Sequence, residues 1–121
     1  MVSTLARRYR MAIVTSSQRD HFEQIHRSTR LLQHFELVLT HGDYARAKPE
    51  PDPYLMALER LSLPAEACLV IEDSERGLRA AKAAGLACWV IPTALTRAGD
   101  FRAADQVLES VGDAAARLLV E

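Results

Sequence analysis

Three short segments carry the side chains that could do chemistry. In Cys68–Gly85, CLVIEDSERGLRAAKAAG, an apolar run ends in two adjacent carboxylates, Glu72 and Asp73, and a stretch of small residues follows. In Met11–Ser17, MAIVTSS, a second apolar run ends in Thr15, Ser16 and Ser17. In Lys48–Leu58, KPEPDPYLMAL, a lysine opens a proline-punctuated loop that leads into an amphipathic stretch. Hydroxyls and backbone N–H groups at a helix N-terminus bind phosphate. A lysine adds a point charge for the same anion. Paired carboxylates are hard oxygen ligands of the kind Mg²⁺ takes. A cation would also offset the repulsion between Glu72 and Asp73.

Each segment has a purely structural counterpart. Ser17 with Asp20 has the spacing of a capping box. Lys48 reads equally as a solvated loop lysine, although Pro49 biases its backbone toward an extended conformation. Asp73 or Ser74 could simply cap the helix that follows. Gly77, Ala80, Ala81 and Ala84 form a small-residue stripe that lets this helix lie close to a sheet.

The elements that must position these groups follow from hydrophobic periodicity. Leu5–Arg10 reads as a helix end. Met11–Thr15, Phe35–Thr40, Cys68–Glu72 and Ala87–Ile91 read as buried strands, with Gln106–Leu108 as a short edge strand. Gln18–Leu32 reads as a helix facing inward with Phe22, Ile25 and Thr29. Asp52–Pro53 opens the next helix, with Asp as N-cap, Pro at the first helical position and Tyr54, Leu55, Leu58 and Leu61 on its apolar face. Ser74–Ala84 is a third helix closed by Gly85, and Asp113–Val120 a last one. Continuously apolar strands alternating with helices predict an α/β fold, a Rossmann-like parallel sheet with helices on both faces. In such sheets ligands bind beyond the carboxyl ends of the strands. Thr15, Ser16, Glu72 and Asp73 all fall there, with Lys48 beyond the second strand.

The chain has 121 residues and a net charge of −1. The length suits one domain, and the charge gives no reason to expect nucleic acid or an anionic membrane as partner. No run approaches the ~20 apolar residues of a membrane span, and the expected setting is cytoplasmic. Cys68 and Cys88 read as small buried thiols in a reducing compartment. His21, His26, His34 and His41 form no zinc motif.

Taken together and in this order, the three segments resemble the haloacid dehalogenase (HAD) superfamily, in its phosphoglycolate phosphatase-like and β-phosphoglucomutase-like branch. MAIVTSS looks like that family's second motif, KPEPDPYLMAL its third, and VIEDSERGLRAAKAAG its fourth and most specific. The resemblance implies a Mg²⁺-dependent phosphatase or phosphomutase that acts on a small phosphorylated metabolite through an aspartyl-phosphate. It implies that Thr15 and the Ser16 N–H hold phosphate and that Lys48 binds the same phosphate and stabilises the attacking carboxylate. Asp73 would coordinate Mg²⁺, with Glu72 as ligand or neighbour and Ser74 orienting the pair. A response-regulator receiver uses similar residue types but places its acidic pair first and its lysine last, the reverse of the order here.

One part of the family pattern is missing. The first motif, D-x-D, supplies the nucleophile and a general acid/base, and no D-x-D occurs in the sequence. Nor does the sequence hold the helical cap that selects substrate. Residues 1–121 therefore read as one partial, truncated core domain, inactive alone and with weak Mg²⁺ binding. Its rival reading is a non-catalytic remnant or interaction module that needs a complementing segment. The family's strand order, 5-4-1-2-3, implies an empty slot between Met11–Thr15 and Cys68–Glu72. Direct closure of these strands, a homodimer or a complementing N-terminal segment would fill it.

Overall fold

The computed structural model describes residues 2–27 and 30–119. Its elements follow one another as α1 (Val2–Arg8), β1 (Ala12–Val14), α2 (Arg19–His26), β2 (Leu37–Leu39), α3 (Asp52–Leu61), β3 (Leu69–Glu72), α4 (Glu75–Ala83), β4 (Ala87–Val90), β5 (Gln106–Val107) and α5 (Val111–Leu118). Short 3₁₀ turns precede β2 and β3, at Leu31–His34 and Ala65–Ala67. The alternation expected of an α/β protein is present, and every strand pair is parallel.

The strands form two sheets, β1-β2 and β3-β4-β5. Register sets Val14 against Leu39 in the first sheet and Glu72 against Val90 in the second. In a parallel ladder each residue turns both its backbone groups to the same neighbour, and the next residue turns away. The Glu72 carbonyl accepts from Ile91 N–H, and the Thr15 N–H donates to Leu39 O. Val70 and Glu72 therefore serve β4, while Ile71 turns its backbone groups to an open edge. Ile13 and Thr15 likewise serve β2, leaving Ala12 and Val14 on the open edge of β1. No backbone ladder joins β1 to β3. Direct closure of these strands, one expected outcome, therefore does not occur. The Lys48 ammonium links the two strands instead, donating to Val14 O of β1 and to the Glu72 carboxylate of β3.

Helix α3 spans the junction. Its Tyr54 belongs to the larger core cluster with Val70, Leu78, Leu86, Cys88 and Val90, and its Ala57 to a smaller one with Leu39 and Tyr44. Val14 packs against both. The buried face of α3 is Pro53, Tyr54 and Ala57, with Leu58 beside them, while Leu55 is 48% exposed. The expected face thus shifts by one row, because Tyr54, Ala57, Leu58 and Leu61 lie at i, i+3, i+4 and i+7. Asp52 is the first helical residue rather than the N-cap.

Helix α2 is shorter than the periodicity suggested. Arg30 takes φ 58 before the Leu31–His34 turn, so the apolar pattern through Leu32 joins two separate pieces. Phe22 is buried, Ile25 is exposed, and Thr29 lies outside the described residues. The last helix begins at Val111, with Ser110 Oγ accepting from Asp113 N–H, and Val120 lies outside the described residues. Helix α4 ends as read from the sequence. Gly85 takes φ +83, its N–H donates to Lys82 O, and Leu86 N–H donates to Ala81 O, a Schellman closure. No described helix is long and apolar enough to cross a membrane.

Both cysteines are free, and Cys88 is completely buried in β4. Burial, reinforced by the Glu72 charge, pushes its thiol up to about 12. An unfolded thiol titrates at about 8.5. The stability that Cys88 contributes by staying neutral is therefore complete below that value. It declines as pH rises from there through about 12. Iodoacetamide at pH 8.5 should modify the half-buried Cys68 while leaving Cys88 unmodified until denaturant unfolds the chain. Equal labelling of both thiols in the native protein would contradict this core.

Candidate active site

The groups singled out in the sequence gather at the carboxyl ends of β1 and β3. At the end of β1, Thr15 Oγ1 accepts from Ser17 N–H at 3.1 Å, and Ser17 O accepts from His41 N–H at 2.9 Å. The hydroxyl of buried Tyr44 donates to Thr15 O at 2.8 Å. These bonds fix the Thr15–Ser17 turn and leave Ser16 exposed. Ser17 does not cap α2. The N-cap is Gln18, without a side-chain bond, and Asp20 Oδ1 accepts from its neighbour His21 N–H. The capping explanation for TSSQRD therefore fails.

Lys48 is not a solvated loop lysine. Its side chain is 11% exposed. Its ammonium donates to Glu72 Oε2 at 2.5 Å and to Val14 O at 3.2 Å, and stands 5.1 Å from the centroid of the Tyr54 ring. Arg76 of α4 donates to the Lys48 carbonyl at 2.8 Å. The lysine is held at both ends, and its head group satisfies one of the acceptors on the open edge of β1.

Glu72 and Asp73, adjacent in sequence, have opposite environments. Strand alternation sends the Glu72 side chain inward between α3 and α4, where it is 7% exposed. Its Oε2 accepts from Lys48 and from the Tyr54 hydroxyl, and its Oε1 receives a long 3.3 Å bond from Asp73 N–H. Burial first, and then the Glu72 charge, pushes the Tyr54 hydroxyl far up, which keeps it a proton donor. Asp73 is exposed, and no described residue donates to its carboxylate. The capping question resolves in favour of Ser74, whose Oγ accepts from Gly77 N–H at 3.1 Å. The Asp73 backbone is pinned from the other side, where Thr96 Oγ1 donates to its carbonyl at 2.6 Å.

Of the two expected metal ligands, Asp73 offers a carboxylate that no described residue binds, whereas Glu72 is turned inward and committed to Lys48 and Tyr54. The described residues contain no cluster of three or more His, Cys, Asp or Glu side chains. An octahedral cation held at Asp73 would draw its remaining ligands from solvent or substrate. The rim is open. A surface groove of about 450 Å³ elsewhere, lined by residues such as Val107, Leu108, Asp113 and Arg117, contains none of these groups. Chemistry rather than volume marks the site.

Sequence reasoning missed Tyr44, Tyr54, Arg76 and Thr96. Tyr54 is indistinguishable from a core residue by periodicity, and Tyr44 lies in a loop that has none. Arg76 and Thr96 act on backbone carbonyls, which leaves no spacing signature.

Residues 1–91 match the family described as haloacid dehalogenase-like hydrolase. The chain belongs to the haloacid dehalogenase-like hydrolase family. Among its relatives, Protein CbbY of Rhodobacter capsulatus is 44% identical over 87 residues, 72% of this chain and 38% of that protein. The phosphorylated carbohydrates phosphatase of Thermotoga maritima is 37% identical over 82 residues, covering 67% and 38% respectively. The crystal structure of CbbY from Rhodobacter sphaeroides in complex with phosphate superimposes with a TM-score of 0.84 at 35% identity. That match covers 90% of this chain and 50% of the other. The chain therefore spans half or less of the length of these HAD relatives.

The Lys48–Glu72 pair lends itself to a stability test. Removing one partner of a buried pair strands a charge, at about 3–5 kcal/mol. Lys48→Met should destabilise the chain by that order, and Lys48→Met with Glu72→Gln should recover most of the loss. Urea unfolding followed by Trp89 fluorescence checks both. An additive double variant would show that the pair is not coupled.

Proposed function

We propose that this chain is the phosphate- and Mg²⁺-handling part of a HAD-type phosphatase or phosphomutase for a small phosphorylated metabolite. The observation that carries the reading is the 2.5 Å Lys48–Glu72 pair between the ends of β1 and β3, with Thr15 and an uncommitted Asp73 carboxylate beside it. Residues 1–121 act as a partial core domain, in a cytoplasmic setting.

In this reading Thr15 and the Ser16 N–H take phosphate oxygens, and Lys48 neutralises the same group. Asp73, supported by Glu72, holds Mg²⁺, which when bound offsets negative charge on the phosphoryl oxygens. The family reaction passes through an aspartyl-phosphate. A carboxylate oxygen attacks phosphorus, the ester P–O bond breaks, and an acid protonates the leaving oxygen. No D-x-D supplies that carboxylate here. The open edges of β1 and β3 suit an extended segment entering parallel to both and bringing one. A separate N-terminal segment is the candidate for that carboxylate; a second copy of the chain could cover the edges but, having no D-x-D of its own, would not supply it. The absent D-x-D equally favours a second reading, in which the chain is a non-catalytic module that retains phosphate binding.

The pure chain should give no significant turnover of p-nitrophenyl phosphate. It should bind inorganic phosphate weakly in ³¹P NMR titrations, more tightly with Mg²⁺. Asp73→Asn should abolish the Mg²⁺ effect, and Lys48→Met should abolish binding. Robust hydrolysis lost in Asp73→Ala would overturn the predicted inactivity and show that another residue serves as nucleophile. Phosphate binding indifferent to both substitutions would overturn the site.

A further inference from the structure

Gly77 occupies a helical position where its own backbone gives no reason for glycine. It lies within α4, three residues after the Ser74 cap, and its φ is not positive. Alanine is the better helix former there. What an alanine there would displace is the Glu72 carboxylate. A Cβ on Gly77 would stand 1.9 Å from Glu72 Oε1, 2.0 Å from Cδ and 2.3 Å from Oε2. The carboxylate lies directly against the glycine Cα. Tyr54, 6% exposed, donates its hydroxyl to Oε2 from α3, and the Lys48 ammonium shares that oxygen.

We propose that Gly77 and Tyr54 are positioning residues for the phosphate lysine. Together they form a cradle that fixes the Glu72 carboxylate, and through it the ammonium of Lys48 at the end of β1. Gly77 supplies the space and Tyr54 the orienting hydrogen bond. This gives Gly77 a role distinct from the other members of the small-residue stripe. Ala80 and Ala81 are fully buried core residues of the larger cluster, and Ala84 packs against it. The role assigned to Lys48 rests on the function proposed above, but the cradle itself does not.

Lys48 and Lys82 are the only lysines in the chain, so Lys82, paired with Asp105 on the surface, is an internal reference. Brief acetylation with acetic anhydride at one fixed pH, read by peptide mass spectrometry, gives the Lys48-to-Lys82 labelling ratio. Gly77→Ala should raise that ratio about fivefold or more, because expelling Glu72 releases Lys48. In a Glu72→Gln background Gly77→Ala should change it by less than about twofold, the non-additivity of residues acting through one another. Tyr54→Phe, which preserves core volume, should raise the ratio by about two- to threefold, a smaller effect than Gly77→Ala because the carboxylate stays in place and loses only the hydroxyl that orients it. An unchanged ratio in both single variants would overturn the proposal. So would a Gly77→Ala effect that persists undiminished in the Glu72→Gln background. Should Gly77→Ala not fold, Tyr54→Phe decides alone. Loss of phosphate binding with the labelling pattern intact would sink the functional reading and leave the cradle standing.

Discussion

The rest of the structure depends on where one buried carboxylate goes. Glu72 ends a strand whose alternation points it into the protein, and an ionised group there is costly unless it is paired and hydrogen-bonded. Meeting that requirement sets three other features. Helix α3 must place Tyr54 over the end of β3. The loop after β2 must deliver Lys48 across the gap from β1. Helix α4 must carry a glycine where the carboxylate lies. Three elements far apart in sequence converge on a single acidic group, and their convergence builds the rim. Asp73 is free to face solvent because Ser74 takes over the cap and Glu72 takes the inward position.

The same pair stands where the sheet is interrupted. Two parallel half-sheets present their open edges, β1 and β3, to the same junction. Among the described residues they are linked there by side chains and by α3 rather than by a ladder. An open parallel edge exposes a row of unmet donors and acceptors, the usual template for another strand. Lys48 satisfies one of these acceptors, Val14 O. Ile71, on the open edge, is 43% exposed although it belongs to an apolar strand, whereas its neighbours Val70 and Glu72 are buried. The fold holds Lys48 and Glu72 in position across this junction through side-chain bonds rather than a ladder.

The fold class, the strands and the α4 termini were legible in the sequence because each rests on local chemistry. These signals are unbroken apolar runs, a serine before a helix and a glycine after it. The rim residues were legible because they follow strand ends in order. What local pattern could not show was tertiary. The α2 periodicity runs on through Leu32 although the backbone breaks at Arg30, since hydrophobic spacing does not register a single left-handed residue. The inward face of α3 was misjudged at Leu55 because one row of a helix cannot be told from the next without knowing what lies beneath. Gly77 read as a packing glycine because its real neighbour, the Glu72 carboxylate, is set by a side-chain rotamer.

The central claim is that β1 and β3 face each other unpaired, bridged by Lys48 and Glu72. Native-state amide hydrogen exchange followed by NMR tests it most directly. The account predicts slow exchange at Ile13, Val70 and Glu72, whose N–H groups serve the existing ladders, and fast exchange at Val14 and Ile71 on the open edges. Protection of Val14 and Ile71 equal to that of Val70 would contradict it, because those amides would then be paired across the junction.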